Sequence, residues 1–430
     1  MNRKIRYGAL LGVMLSSAWL LAGCGSTSSM SEQQTTTYGG LDGGPDGGLD
    51  GGLDGGLNGG PDVSVKFASL DGTQETPATG SSTVGGGVLA VNTTTGKVSG
   101  FVVANAFATP TTEAHVHTAA RGTPGNITIP LSGVAGGTGP SVWVVPDNAP
   151  ALTATQIADF NAGSMYFNIH TQAKTGGEIR GQIDKSGTGR LASLDGTQET
   201  PPTGSSTVGG GILAVDVSKG QVSGFVVTSG FATPTTQAHV HTAARGTPGN
   251  ITIPLTGAVG VMGTSTVWVV PDSAAALTLA QIADFVGGNL YFNVHTQANT
   301  GGEIRGQIDR DGTVRLASLD GTQETPPTGS SAVGGGILAV GDLSGEAAGF
   351  VATIGLMNTT QAHVHTAARG TPGNIIIPLS GGANSSVFVV PDSATATVQQ
   401  RADFTAGNLY YNVHTQGFPN GEIRGQIDHP

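Results

Sequence analysis

Nine of the ten histidines in this 430-residue chain fall into three equivalent sets. They are His115, His117 and His170; His239, His241 and His295; and His363, His365 and His414, with His429 left over. Each set opens with His-Val-His and closes on the His of an Asn-Ile-His-Thr or Asn-Val-His-Thr run. In a β-strand, residues two apart share a face. The two imidazoles of His-Val-His therefore project together, with valine on the other side. By the same rule Tyr166, Asn168 and His170 share one face of MYFNIHT, while Phe167 and Ile169 point to a core. If the two strands are neighbours, three imidazoles converge. Three imidazoles suit copper or zinc and leave a fourth position for water or substrate. The same pattern also reads as a polar sheet face whose His and Thr hydrogen-bond across strands.

Few other residues offer chemistry. Glu178 and Arg180 alternate in GEIRGQI and share one side of a strand, and Glu75 lies in DGTQETP. One reading is an Arg–carboxylate pair that stitches a strand to a loop. The other is that Arg180, Arg305 and Arg424, or Arg121, Arg245 and Arg369, draw an anion toward the histidines. No Ser-His-Asp spacing, nucleophile elbow or phosphate-binding Gly loop is present, so no catalytic residue is assigned. A single Cys excludes a disulfide scaffold and any CxxC site. A formal charge of −11 and a pI near 5.2 argue against nucleic acid as a partner.

The elements that must position the histidines repeat three times. SLDGTQET begins at Ser69, Ser193 and Ser318, AHVHTAARGTPGN at Ala114, Ala238 and Ala362, and GEIRGQID at Gly177, Gly302 and Gly421. A period of 119 to 125 residues is a whole domain rather than a solenoid unit. The boundaries are placed at 63–187, 188–312 and 313–430, with linkers so short that the domains should form a stiff row. Within each unit, alternating runs such as VSVKFASL, GGVLAVN and KVSGFVVA precede AHVHT, NITIPL, VWVV, MYFNIHT and EIRGQID. About eight short strands with frequent turns predict an antiparallel sandwich or flattened barrel. A helical turn or two is expected at LTATQIADF, from the spacing of Leu152, Gln156 and Ile157 and a capping Thr. The fold class is thus all-β: three tandem, Greek-key-like antiparallel sandwiches. Of the 71 Gly, those in the repeats are expected at turns and strand ends.

The first 62 residues read as address and tether. Arg3, Lys4 and Arg6 precede a short apolar run and Leu21-Ala22-Gly23-Cys24, which resembles a bacterial lipobox. Residues 1–23 are then a lipoprotein signal peptide and Cys24 is the lipidated residue of the mature chain. Residues 24–62 are then the lipidated Cys and a solvated, disordered tether, in which 39–62 are six tandem tetrapeptides of the GGLD type rather than a nine-residue calcium repeat. The expected location is the bacterial cell envelope, lipid-anchored and extracytoplasmic, with the membrane as one partner.

LDGTQETPPT, AHVHTAARGTPGN and LYFNVHTQANTGGEIRGQID resemble the CHRD domain, first named from chordin, over residues about 65 to 430. The resemblance implies an extracellular β-sandwich module. A more distant similarity is to Cu/Zn superoxide dismutase, where an H-V-H strand and a later V-H supply three copper ligands. It implies copper ligands at His115, His117 and His170 and their equivalents, but no bridging His, zinc loop or disulfide cysteine is present. The expected function is a multivalent binding module for an extracellular or periplasmic protein or polymer, with a copper site in each domain. The alternatives are copper storage or delivery, and a dismutase-like enzyme.

Overall fold

A computed structural model of the chain describes residues 57–58 and 62–428. The leader, Cys24, nearly all of the tether and His429 lie outside the described residues. Alternation of apolar residues makes strands of the expected segments, and each repeat folds as two antiparallel sheets. In the first repeat the inner sheet runs, in spatial order, Val63–Leu70, Gly85–Asn92, Val98–Ala104, Ser141–Val144 and Ser132–Gly133. The outer sheet runs Ile179–Gln182, Met165–Thr171, Thr111–Thr118 and Asn126–Pro130. Bridges from Phe67 to Lys185 and from Asp71 to Arg180 join the two sheets along one edge. Leu89, Val102 and Trp143 of the inner sheet meet Val116, Phe167 and Ile169 of the outer one in the sandwich core. The helix is Ala154–Asn161, capped by Thr153 in a box with Gln156. Leu152 falls just before this helix but is still buried in the core.

The inner sheets are buried on both faces. Phe67, Val88, Ala90, Phe101, Val103, Val142 and Val144 point away from their own sandwich, into a core shared with the equivalent residues of the other two repeats. Phe101, Phe225 and Phe350 form its centre, an edge-to-face triangle with ring centroids 6.1 to 6.3 Å apart. The expected row is therefore incorrect: the three sandwiches close into a ring. Short linkers join the first repeat to the second and the second to the third, and the third closes on the first through non-covalent contacts. The contacts run the same way round. Ser69 donates to the Val270 carbonyl, Ser193 to that of Val390 and Ser318 to that of Val145. Arg121 pairs with Asp272, Arg245 with Asp392 and Arg369 with Asp147.

The Gly-Gly-Gly triplets, which stand at the beginnings of inner-sheet strands, explain how the ring closes. They lie inside strands, where the absence of a side chain is what matters. A Cβ on Gly86 would sit 2.4 Å from the Phe225 ring, on Gly210 2.4 Å from Phe350, and on Gly335 2.5 Å from Phe101. The next glycine serves the sandwich itself: a Cβ on Gly87 would sit 2.7 Å from Phe167. Each triplet therefore admits one aromatic ring from a neighbouring repeat and one from its own outer sheet. Leu57–Asn58, the end of the expected tether, pairs with Gly189 and with Gly312 and Thr313, where the second and third repeats begin.

Phe225→Ala should lower the unfolding free energy by about 3–5 kcal/mol, the range for deleting a buried aromatic ring. Gly86→Val should also destabilise, by overpacking the same contact. Denaturant melts of both variants check this. A cost no larger than that of an exposed-site control such as Leu343→Ala would show that the central triangle does not hold the ring.

Candidate metal centre

The site is built on the outward face of each outer sheet. Val116 lies in the core, so His115 and His117 face away from it. Across the ladder His115 is paired with Asn168 and His117 with Tyr166, and His170 lies opposite Glu113. A register shift between Val116 and His117 on the other side of this strand adds local twist. The expected strand adjacency is therefore present, and each triad comes together. The ligand atoms of His115, His117 and His170 lie within 4.8 Å of one another, as do those of the other two triads. Side-chain burial is nearly complete, with 7, 8 and 6% exposure for the three residues.

Hydrogen bonding sets which ring nitrogens are available. His117 Nδ1 lies 3.0 Å from the Gly125 carbonyl, and His170 Nδ1 lies 3.0 Å from that of Thr175. A carbonyl only accepts, so both rings carry their proton on Nδ1 and present Nε2 as a lone pair. The Nε2 atom of His117 is buried and has no hydrogen-bond partner, and the same holds for His241 and His365. His115 Nδ1 stands 3.2 Å from His170 Nε2. Its other nitrogen faces Glu113 at 3.6 Å; Gln237 and Gln361 occupy that position in the other repeats. A free Nε2 on a ring whose Nδ1–H is held by a carbonyl is what a metal-binding histidine requires. The donor set of three imidazoles fits copper or zinc.

In the His-Val-His pairs, electrostatics disfavour the charged ring. Burial pushes the His117, His241 and His365 imidazoles below their ordinary range. Burial together with the neighbouring imidazoles lowers His239 and His363 to about 4. His115 is also lowered by burial and by His170, with Glu113 opposing.

The surrounding residues are structural supports. Tyr166 stacks on His117 at 5.0 Å between centroids, and the Arg180 guanidinium lies 3.5 Å over the Tyr166 ring. Arg180 is 2% exposed and donates to the Thr123 and Ala120 carbonyls and to Gln182. It thus clamps the loop that carries Gly125, the acceptor for His117. Arg305 and Arg424 repeat this arrangement on Tyr291 and Tyr410. Glu178 accepts from Ser81 and Thr171 rather than from Arg180. Arg121 forms bridges of 2.8 Å to Asp184 and 2.7 Å to Asp272 of the next repeat, which ties the same loop across the ring interface. Arg245 and Arg369 do likewise.

Glu75 is the residue whose role sequence reasoning left open. It is buried beside Asn168, whose amide lies 3.5 Å from Oε2, while Glu75 Oε1 and Asn168 Oδ1 have no partner. Gly177 makes room for them: at φ +121°, a Cβ there would lie 2.3 Å from Asn168 Oδ1 and 2.5 Å from Glu75 Oε1. Burial raises Glu75, Glu199 and Glu324 to about 7, against the nearby arginines. The only sequence signal was recurrence of TQET-Pro in every copy.

Two buried sheets around a three-imidazole face define an all-β module repeated three times in one ring. The chain matches the CHRD domain over residues 67–183, 191–308 and 316–427, and it belongs to the CHRD family. No curated protein and no solved structure matches it.

A carboxyl raised from 4.5 to about 7 stabilises the fold fully below about pH 4.5 and loses that contribution as pH rises through 7. Replacing Glu75, Glu199 and Glu324 by Gln should therefore raise the melting temperature at about pH 8 and leave it little changed at about pH 4.5. Calorimetry at the two pH values checks this. Equal shifts at both would show that these carboxyls ionise normally.

Proposed function

We propose that the chain is an envelope lipoprotein, anchored through Cys24, whose ring of CHRD domains is a multivalent binding module with one copper ion in each His triad. The observation that carries the metal part is the buried, unpartnered Nε2 of His117, His241 and His365 beside two further imidazoles in every repeat. When bound, copper supplies a redox-active Lewis acid with a position open to a small ligand. The chain's own residues hold the site. Gly125 and Thr175 fix two tautomers, Tyr166 and Arg180 stiffen the His117 ring, and the loop around residues 120–125 covers it. His115 presents Nδ1 to the site when its proton moves to Nε2, beside Glu113.

Because the inner sheets face the ring axis, the triads look outward on three sides. This suits storage, delivery or three separate contacts. Dismutase-like turnover is the second reading. It is weakened by the arginines offered for anion attraction: Arg180 uses its donors on backbone and Gln182, and Arg121 is held between two aspartates. The lipobox sequence supports the anchor.

Purified protein loaded with Cu(II) should retain about three ions, with nitrogen hyperfine structure in its EPR spectrum. A His115/His117/His170→Ala variant should retain about two. Copper no greater than that of a non-specific control protein would overturn the metal reading. Consumption of superoxide faster than free copper achieves would instead favour the enzyme.

A further inference from the structure

The three triads share one geometry. His115 Nδ1 stands 3.2 Å from His170 Nε2, His239 Nδ1 3.2 Å from His295 Nε2, and His363 Nδ1 3.1 Å from His414 Nε2. In each triad the last histidine faces a backbone carbonyl through Nδ1, at Thr175, Thr300 and Pro419. Its Nε2 is therefore an acceptor, and the first histidine donates to it from Nδ1. A metal between these two nitrogens takes the place of that proton. Loading thus moves the proton of the first histidine to its Nε2, and the group beside Nε2 sets the cost of the move.

At that position the repeats differ. Glu113 lies two residues before His115 on the same strand face and opposite His170 in the ladder, with Oε2 3.6 Å from His115 Nε2. This exceeds a formed hydrogen bond, as befits a ring whose proton is on Nδ1. Gln237 and Gln361 hold the corresponding positions, opposite His295 and His414. A carboxylate accepts an N–H more strongly than an amide does, and its charge also attracts a divalent cation. The groups that converge as ligands are the three histidines, so Glu113 acts through His115. The first repeat also carries Lys174, where the others have Asn299 and Phe418. That cation would act in the opposite direction.

We infer, on the copper reading proposed above, that Glu113 makes the triad of the first repeat the preferred metal site, filled ahead of the other two. It is a positioning residue, which receives the Nε2–H of His115 and leaves Nδ1 to the metal. Partners of this kind change metal affinity about tenfold to a hundredfold, and with a side chain 58% exposed and screened by salt the effect of Glu113 is about tenfold. One equivalent of Cu(II) shared among three sites then occupies about two-thirds of the first triad and about one-sixth of each other, against about one-third each for equal sites.

The full chain is given one equivalent of Cu(II) in a glycine buffer, which lets the ion exchange between sites. Paramagnetic loss of the methyl signals of Val116, Val240 and Val364, each between the paired histidines of its repeat, reports the occupancy of each triad. Expected is loss mainly at Val116. Glu113→Gln should remove the excess at Val116, and Gln237→Glu should raise the loss at Val240 to match it. A carboxylate that only stabilised its strand would not carry the preference into the second repeat. Equal losses in the unaltered chain, an excess at Val116 that survives Glu113→Gln, or no gain at Val240 in Gln237→Glu would each overturn the inference. Three bound ions with equal losses would leave the copper reading standing, whereas no retained copper would overturn both.

Discussion

The contact on which the rest depends is the seating of one phenylalanine of each repeat on a glycine of another. Phe225 on Gly86, Phe350 on Gly210 and Phe101 on Gly335 close a cycle that no linker closes. Without it the outward faces of the inner sheets would expose Val88, Val103, Val142 and their equivalents, an apolar patch too large for a lone soluble domain. With it, the central inner strands are buried on both sides, which is why GGVLAVN and KVSGFVVA are so poor in charge. A low overall content of charged residues is thus a property of two nested cores, one within each sandwich and one shared.

The ring also reaches the His sites. The loop that covers His117 is held from below by Arg180, through Thr123 and Ala120, and from the side by Arg121, which bridges to Asp272 of the next repeat. Each triad is therefore framed by two repeats although its ligands come from one. Surface ion pairs contribute little individually. Their effect here is orientation, because the same loop supplies the Gly125 carbonyl that fixes the His117 tautomer.

Much of this was legible in the sequence. Period-two alternation placed the strands, and the same rule put His115, His117 and His170 on one face, where they are found. The CHRD resemblance was likewise readable from AHVHTAARGTPGN and GEIRGQID. The ring was not, because its signal was a glycine triplet inside a strand and a phenylalanine in another repeat, and glycine's usual meaning is a turn. The partners of Arg180 were also not readable. Alternation predicts a shared face, but not that a tyrosine ring and two loop carbonyls would capture the guanidinium first. Glu75 carried only its recurrence in TQET-Pro, which says nothing of its burial, since that depends on Gly177, about a hundred residues away in the chain.

Three equivalent His triads stand on the periphery of a closed, threefold-like ring. Pulsed dipolar EPR between Cu(II) ions in the fully loaded chain tests it most directly. A ring predicts a single narrow distance, common to all three pairs. Two distances, one about twice the other, would indicate a row and contradict the ring, and the absence of any dipolar coupling would contradict the triads as metal sites.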